Sequence, residues 1–456
     1  MEVLLPALVA LAGAVASLAL HDRPRLVATF TVGVLVLTLG LVAGMDLTLT
    51  ERVADVTLRT SGLGRLVELV LLTLLVLLTL YVGLVEPLDY FCAAALFLAA
   101  ALHGLFVTTQ ALPLFAVLVA ALSAPVVALV FRIHHNRSLE AAVRYFGSVT
   151  IGGSIGIAAL ALAAQQPRSL GEEHLPLTLL LVIVIAAFAL LLGTVPFHVH
   201  LAALTSEAPV AALALLFGVV VPLTFFAFPL LLANSGVLPA VASIEKAQAA
   251  LSVLGIVSAI GGALLAVGAP DLRRLVAYSV LSNIGAALVG VGTFSGSGIV
   301  GAIGTILVTA AAATQQLVSA GALSRAMLPE DRAPSARRAP LAAATFLLSA
   351  LALVGLPPLA GFPPRFLVEQ ISFAVSAPLG WGLLAASVAL LVAHLRAGLG
   401  LFADGVSARD LERRPVAGAT GLVLLSGLLV TGLYPDAYLP PILDFAREFL
   451  LALRPF

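Results

Sequence analysis

Fourteen long apolar runs, joined by short polar connections, decide what this chain can fold into. They lie at 2–20, 27–45, 65–84, 89–108, 112–131, 145–165, 177–194, 207–232, 247–268, 275–293, 298–324, 340–375, 379–403 and 417–436. A helix that spans a bilayer needs ~20 mostly apolar residues, and lipid leaves no other open structure for the backbone. With 61% hydrophobic and 10% charged residues, the 456-residue chain is outside the range of soluble domains. The expected fold is therefore an all-α polytopic membrane protein of about fourteen helices, taking 340–375 as one helix broken in its middle. The expected organisation is one transmembrane domain over 1–456. It has N-terminal helices in 1–88, a first repeat in 89–232, a second in 247–403 and an amphipathic C-terminal segment in 437–456 lying on the outer surface. The opening run has no basic stretch before it and reads as a first membrane helix rather than a removed leader. Loops after odd-numbered helices hold 14 cations and the other face holds 7, with Arg365 and Arg396 inside helices. That bias predicts both termini on the outer side of a plasma or inner membrane.

Two of the runs are interrupted. Gly193-Thr-Val-Pro-Phe-His-Val-His200, continuing to Glu207-Ala-Pro209, brings His198, His200 and Glu207 beside Pro196 and Pro209. Gly355-Leu-Pro-Pro-Leu-Ala-Gly-Phe-Pro-Pro-Arg-Phe366 places Arg365 and Glu369 after Pro357 and Pro358. Proline ends the helix before it. Non-helical backbone at membrane depth is tolerated only inside protein or beside a watery cavity. Two breaks about 155 residues apart fit two inverted five-helix repeats. Ionisable residues there are candidates for an ion path; the alternative is an interfacial re-entrant turn with capping residues. His394 is a further candidate, and Gln315 and Gln316 either bond across helices or line water. His103 reads as a satisfied interior histidine, and His134 and His135 as headgroup or subunit contacts.

Other functions are excluded or unsupported. A net charge of zero argues against nucleic acid. A lone cysteine, Cys92, rules out an intrachain disulfide and any Cys-ligated cluster. No nucleotide motif follows a strand, and no residues are assigned to catalysis, metal or cofactor binding. The glycines of 293–304 read as close helix contacts rather than a phosphate cradle.

The breaks carry a resemblance. Pro196-Phe-His-Val-His…Glu207-Ala-Pro resembles the Pro-Phe-His-x-Trp…Ala-Pro motif of the antiporter-like subunits of respiratory complex I. Asp271-Leu-Arg-Arg-Leu-Val-Ala-Tyr-Ser-Val-Leu-Ser-Asn283 is similar to their Asp-Ile-Lys-Arg-Leu-Leu-Ala-Tyr-Ser-x-x-Ser-His. The 355–366 segment resembles Gly-x-Pro-Pro-x-Ala-Gly-Phe-x-x-Lys-Phe, and Ser138-Leu-Glu-Ala-Ala-Val-Arg-Tyr-Phe146 resembles another of their helix starts. The pattern is of the subunit N type, and related subunits serve membrane-bound hydrogenases and cation/proton antiporters. The resemblance implies a non-redox membrane-arm subunit of an NADH-quinone oxidoreductase or related complex. Its partners would be other membrane and peripheral subunits, lipid and protons.

In that family, an acid paired with lysine, and further lysines, carry protons through the membrane middle. Here the acid's place is near Val119 and the paired lysine's near Val221. Ala203 stands where another acid is expected, and arginine replaces lysine at Arg273 and Arg365. The only lysine is Lys246, and arginine is a poor proton donor. Two readings follow from the resemblance. Either His198, His200, Glu207, Glu369 and His394 titrate in the field of Arg273, Arg274, Arg365 and Arg396, or the subunit is a non-conducting scaffold. A third reading, of another class, is a self-standing cation or anion transporter.

Overall fold

The computed structural model describes residues 2–20, 22–86, 90–130, 136–165, 175–235, 244–327, 336–403 and 415–452. His134, His135 and loop cations such as Arg132, Arg168, Arg332, Arg409, Arg413, Arg414 and Arg454 lie outside the described residues. The chain opens with α1 (Leu5–Ala19) and α2 (Pro24–Gly44). A hairpin of β1 (Thr50–Val53) and β2 (Val56–Arg59) then leads into α3 (Gly62–Leu84). Next come α4 (Phe91–Val107), α5 (Ala111–Val130), α6 (Asn136–Gln165) and α7 (Leu175–Leu191), followed by the short α8 (Val199–Glu207). Helices α9 (Val210–Leu215) and α10 (Val221–Ser235) run on through a π-helical turn, Leu216–Val220. The second half holds α11 (Ile244–Val267), α12 (Leu272–Gly292), α13 (Gly296–Arg325), α14 (Pro340–Val354), α15 (Phe362–Val375) and α16 (Ala377–Phe402). The chain closes with α17 (Pro415–Leu433) and α18 (Leu439–Ala452). Among the described residues, eight helical segments are long and apolar enough to cross a membrane, and six shorter helices are apolar as well. Each of the fourteen runs overlaps one of them.

The order of burial gives the layering. All of 210–229 and, Tyr278 apart, all of 275–292 are buried, whereas about a third of the most apolar stretch of Pro24–Gly44 and of Leu139–Gln165 is. The π-turn helix, α12 and α13 are thus central, while α2 and α6 expose leucine, valine and isoleucine on their outer faces. Small residues set the central contacts. A Cβ on Gly285 would sit 2.3 Å from the Ala259 nitrogen, and one on Gly255 2.7 Å from the Gly285 oxygen, so α11 and α12 touch backbone to backbone. The glycines of the 293–304 run do the same for α15: a Cβ on Gly301 would lie 2.8 Å from the Pro364 oxygen.

Caps and breakers form the helix ends the sequence marks. Ser61, Asp271 and Ser295 accept from the Gly64, Arg274 and Gly298 amides at 3.0, 2.9 and 3.1 Å. Helix α14 ends on Gly355 at φ +88°, a backbone that glycine adopts without strain. Both breaks contain a positive-φ glycine and a cis X–Pro bond, at Gly193 and Val195–Pro196 and at Gly355 and Pro357–Pro358. Their register is constant, since 355 − 193, 358 − 196 and 369 − 207 all equal 162.

Each break has its freed amides satisfied from a different neighbour. The Val195 amide donates to Ser258 Oγ of α11 at 3.2 Å. The Ala360 amide donates to the Leu428 carbonyl of α17 at 2.9 Å. Ser258→Ala leaves the first of these amides without its protein partner. The expected loss is about 1 kcal/mol, read as a lower melting temperature of the detergent-solubilised chain.

Two expectations need correction. The connection at 46–64 is not plain loop, so the chain is all-α apart from one hairpin. Its strands pair antiparallel with Thr50 opposite Arg59 and Val53 opposite Val56, and Ala54 and Asp55 both take positive φ at the turn. The C-terminal helix α18 is amphipathic, but its apolar face is used by protein. Ile442, Ala446 and Phe449 are buried, Phe449 stacks on Phe294 at 6.3 Å, and Glu448 faces Arg59 at 3.6 Å.

Ahead of the hairpin, Asp46 accepts from the Thr48 amide and hydroxyl, each at 2.9 Å. These bonds, the amide first, hold its carboxyl below the ordinary 3.8. A depressed carboxyl stabilises above its unfolded value and loses that contribution as pH falls through the folded one. Hydrogen exchange of the Thr48 amide is expected to be slow near pH ~6 and to accelerate below pH ~3 relative to neighbouring amides.

Candidate functional site

The second break ends in a buried polar cluster. Proline at the start of α15 restarts the helix, so Arg365 and Glu369 stand one turn apart on one face. Arg365 is 4% exposed. Its Nε donates to Glu369 Oε1 at 3.1 Å and to Ser387 Oγ of α16 at 3.1 Å, with a second guanidinium N–H on Ser387 at 2.9 Å. The remaining fork donates to Asn283 Oδ1 of α12 at 3.0 Å. Ser387 Oγ in turn donates to Glu369 Oε1 at 2.7 Å. Asn283 Nδ2 is shared between Thr309 Oγ1 of α13 at 3.1 Å and the Leu353 carbonyl at 2.9 Å. Leu353 stands at the C-terminal end of α14, where helix carbonyls have no partner in their own helix. One guanidinium therefore joins α12, α15 and α16, and the amide it orients seals the end of α14.

A second polar group lies deeper in the same half. Gln315 Nε2 donates to Ser319 Oγ at 2.9 Å, Ser319 meets Thr345 at 3.0 Å, and Gln316 Nε2 donates to the Phe346 carbonyl at 3.4 Å. Both glutamines bond locally or across helices, yet both leave Oε1 buried without a protein partner. The same holds for Thr305 Oγ1 and His394 Nε2. His394 Nδ1 donates to Leu390 O at 2.9 Å, which fixes Nε2 as the unprotonated nitrogen of the neutral ring. The His394 ring lies 6.4 Å from Phe346. Buried polar atoms without protein partners are where interior water sits. On the same helix, Ala393, Arg396 and Ala397 line a cavity of about 720 Å³ whose wall also includes Arg273, Ser206 and Ser324, while His394 itself is not on that wall.

The first half is built differently. His200 is buried, donates from Nδ1 to the Phe197 carbonyl at 3.0 Å and lies 6.4 Å from the Tyr145 ring. His198 caps the start of α8 with Nδ1 unpartnered. Glu207 ends α8, half-buried, and no salt bridge to it occurs among the described residues. Arg273 reaches the Ala208 carbonyl at 3.4 Å, bringing the start of α12 to the turn before Pro209. Arg274 turns back to its own cap, Asp271, at 3.6 Å and joins neither group. Beyond these ends the interior along α9, the π turn and α10 is apolar apart from Thr224, which donates to the Val220 carbonyl. Val221 is buried after the π turn, Val119 lies against Gly153, and Leu216 to Val220 are buried throughout. Lys246 is exposed in the first turn of α11.

The structure thus unites Arg365 with Glu369 and places His394 in the same half. It leaves His198 and His200 at the first break, and brings Arg273 to Ala208, next to Glu207. Asn283 and Ser387 were not foreseen as partners of Arg365, since their separations of 82 and 22 residues leave no local signal. Glu68, hidden in the apolar run 65–84, was passed over. It is buried against His103, and a carboxylate alone in such a run was its signal.

A family model for the transmembrane part of NADH:quinone oxidoreductase and Mrp antiporter subunits matches residues 119–391, well over half of the chain. The chain belongs to this family. The NADH-quinone oxidoreductase subunit N of Methylovorus glucosotrophus is 31% identical over 169 residues, 34% of this chain and 34% of that protein. The matched part is about a third or less of such curated relatives. A chain of the Mrp complex from Dietzia sp. DQ12-45-1b superposes with a TM-score of 0.86 at 18% identity, covering 99% of this chain and 98% of that one. A chain of respiratory complex I from Thermus thermophilus gives 0.82 at 23% identity, covering 99% and 100%. These likenesses establish the fold, a multi-pass helical membrane protein of the antiporter-like kind.

Proposed function

We propose that this chain is a membrane-arm subunit of a multisubunit complex of the complex I or Mrp type, and that it moves protons through its second half. The observation that carries this reading is the Arg365–Glu369–Asn283–Ser387 cluster, followed by unpaired polar atoms as far as His394 and the cavity. Arginine keeps its charge, so Arg365 is a fixed countercharge and Glu369 the group that exchanges. Glu369 Oε1 is engaged by Arg365 and Ser387. A proton passing from the cavity, past the α16 residues that line it, to His394 Nε2 reaches Glu369 through water held by the glutamine and threonine oxygens. Ser387 and His394 are seven residues apart, about 10 Å along one face of α16.

The apolar interior between Val119 and Val221 supports a first half that serves as scaffold, with Glu207 and Arg273 at its rim. Residues 89–232 and 247–403 are the two repeats in this reading. Other subunits, lipid and protons are the partners, and the plasma membrane is the location, with both termini outside. The first test is isolation of the tagged chain from its native membrane in mild detergent. Co-purifying iron–sulfur or other antiporter-like subunits support the assembly, whereas recovery of the chain alone points to an independent transporter. In the isolated complex, Glu369→Gln is expected to lower the proton-to-electron ratio while Glu207→Gln does not. An unchanged ratio in Glu369→Gln removes the proposed route.

A further inference from the structure

Between the N-terminal helices and the start of the first repeat lies an acid–imidazole pair that this route does not use. Glu68 stands in α3 and His103 near the end of α4, and their side chains are 4% and 2% exposed. His103 Nδ1 lies 2.7 Å from Glu68 Oε2, and Nε2 lies 2.6 Å from the Val3 carbonyl oxygen. A neutral imidazole has one N–H. Facing a carboxylate and a carbonyl, it satisfies only one of them. The contacts are complete only when the pair holds one more proton. Either an imidazolium donates to both oxygens, or a carboxyl O–H donates to Nδ1 while Nε2–H donates to Val3. Both arrangements are hydrogen-bonded throughout and carry no net charge. Removing that proton, or adding a second, leaves a net charge in apolar surroundings, which is costly.

A second observation is a space for water beside the pair. A cavity of about 10 Å³, room for a single water, touches both residues. Its wall continues through Arg65, Ser61 and Thr60 toward the hairpin. Arg65 donates to the Met45 carbonyl at 3.3 Å, and Thr60 Oγ donates to the Asp46 carbonyl at 2.9 Å. Among the described residues, Arg65 from α3 is the one charged group on this wall besides the pair. Of the other elements around it, α4 contributes His103 and the N-terminal turn contributes the Val3 carbonyl.

We propose that Glu68 and His103 form a proton-exchanging site served from the face that carries the β-hairpin. The ligand is a proton delivered by water. An O–H bond of a hydronium in the cavity breaks as the Glu68 O–H or His103 N–H forms, and release reverses the step. This site stands independently of the second-half route and of the host complex.

The test is a potentiometric titration of the full-length chain in lipid nanodiscs, compared with Glu68→Leu/His103→Leu. Apolar residues of similar volume commonly replace a buried ion pair without loss of stability. The unaltered chain is expected to take up about one proton more than the variant between pH ~9 and pH ~3. Glu68→Gln is the second variant, because it keeps an acceptor for the Nδ1–H while removing the carboxyl. Its uptake also falls short of the unaltered chain if the pair exchanges. Superimposable curves for a folded variant and the unaltered chain overturn the proposal and leave a static clamp on the N-terminal segment.

Discussion

Arg365→Met is expected to destabilise the chain by about 3–5 kcal/mol, the cost of removing one partner of a buried ion pair. The guanidinium is the common donor to Glu369, Ser387 and Asn283. Methionine fills much of its volume but donates nothing. Glu369 then keeps only Ser387, and Asn283 Oδ1 loses its partner while its Nδ2 still holds the end of α14. The check is thermal or denaturant unfolding of the solubilised chain. Removing the acid as well, in Arg365→Met/Glu369→Leu, takes away the stranded charge and is expected to restore most of the loss. If Arg365→Met stays within about 1 kcal/mol of the unaltered chain, the cluster is not the anchor of the second break.

Gly361→Ala is the second large effect, and it acts through space rather than charge. A Cβ at this position would lie 1.7 Å from the Ala352 carbonyl oxygen, with the Gly355 α-carbon 3.3 Å away. Neither atom is the end of a flexible side chain, so α15 must move away from the end of α14. The Ala360 amide loses its seat on the Leu428 carbonyl, and the Arg365 cluster shifts with it. Overpacking of this kind costs typically 1–3 kcal/mol, and the contact places Gly361→Ala at or above the top of that range, about 3 kcal/mol. Gly33→Ala is the control. It meets no atom within 4 Å, and a glycine inside a helix gains about 0.5–1 kcal/mol from alanine. A melting temperature for Gly361→Ala equal to that of the control would show that the two half-helices are not wedged together there.

Much of the architecture was legible because its signals are local. Apolar length, proline, capping residues and the glycine before each break act within a few residues of themselves. They marked α7 and α8, and α14 and α15, at the places where the helices stop and restart. The pairing of Arg365 with Glu369 was open to the same reading, since residues four apart share a helix face. The hairpin was missed because its turn carries Ala54 and Asp55 at positive φ rather than a glycine. Tyr145 donates to the Leu122 carbonyl at 3.0 Å. No local pattern states which helix stands next to α6.

The candidate site divides in the same way. The absence of lysine from the middle of the membrane is a property of the sequence alone. It already ruled out an acid–lysine relay whatever the packing. By itself, then, the sequence determined a multi-pass helical membrane chain, two broken helices and the want of the usual proton carriers. Only the tertiary structure decided that Asn283 and Ser387 complete the Arg365 cluster, that the π-turn helix is packed in an almost wholly apolar interior, and that Glu68 meets His103. The reason is physical. Helix formation in lipid follows from composition along the chain, whereas the partner of a buried charge depends on which helices the fold sets side by side.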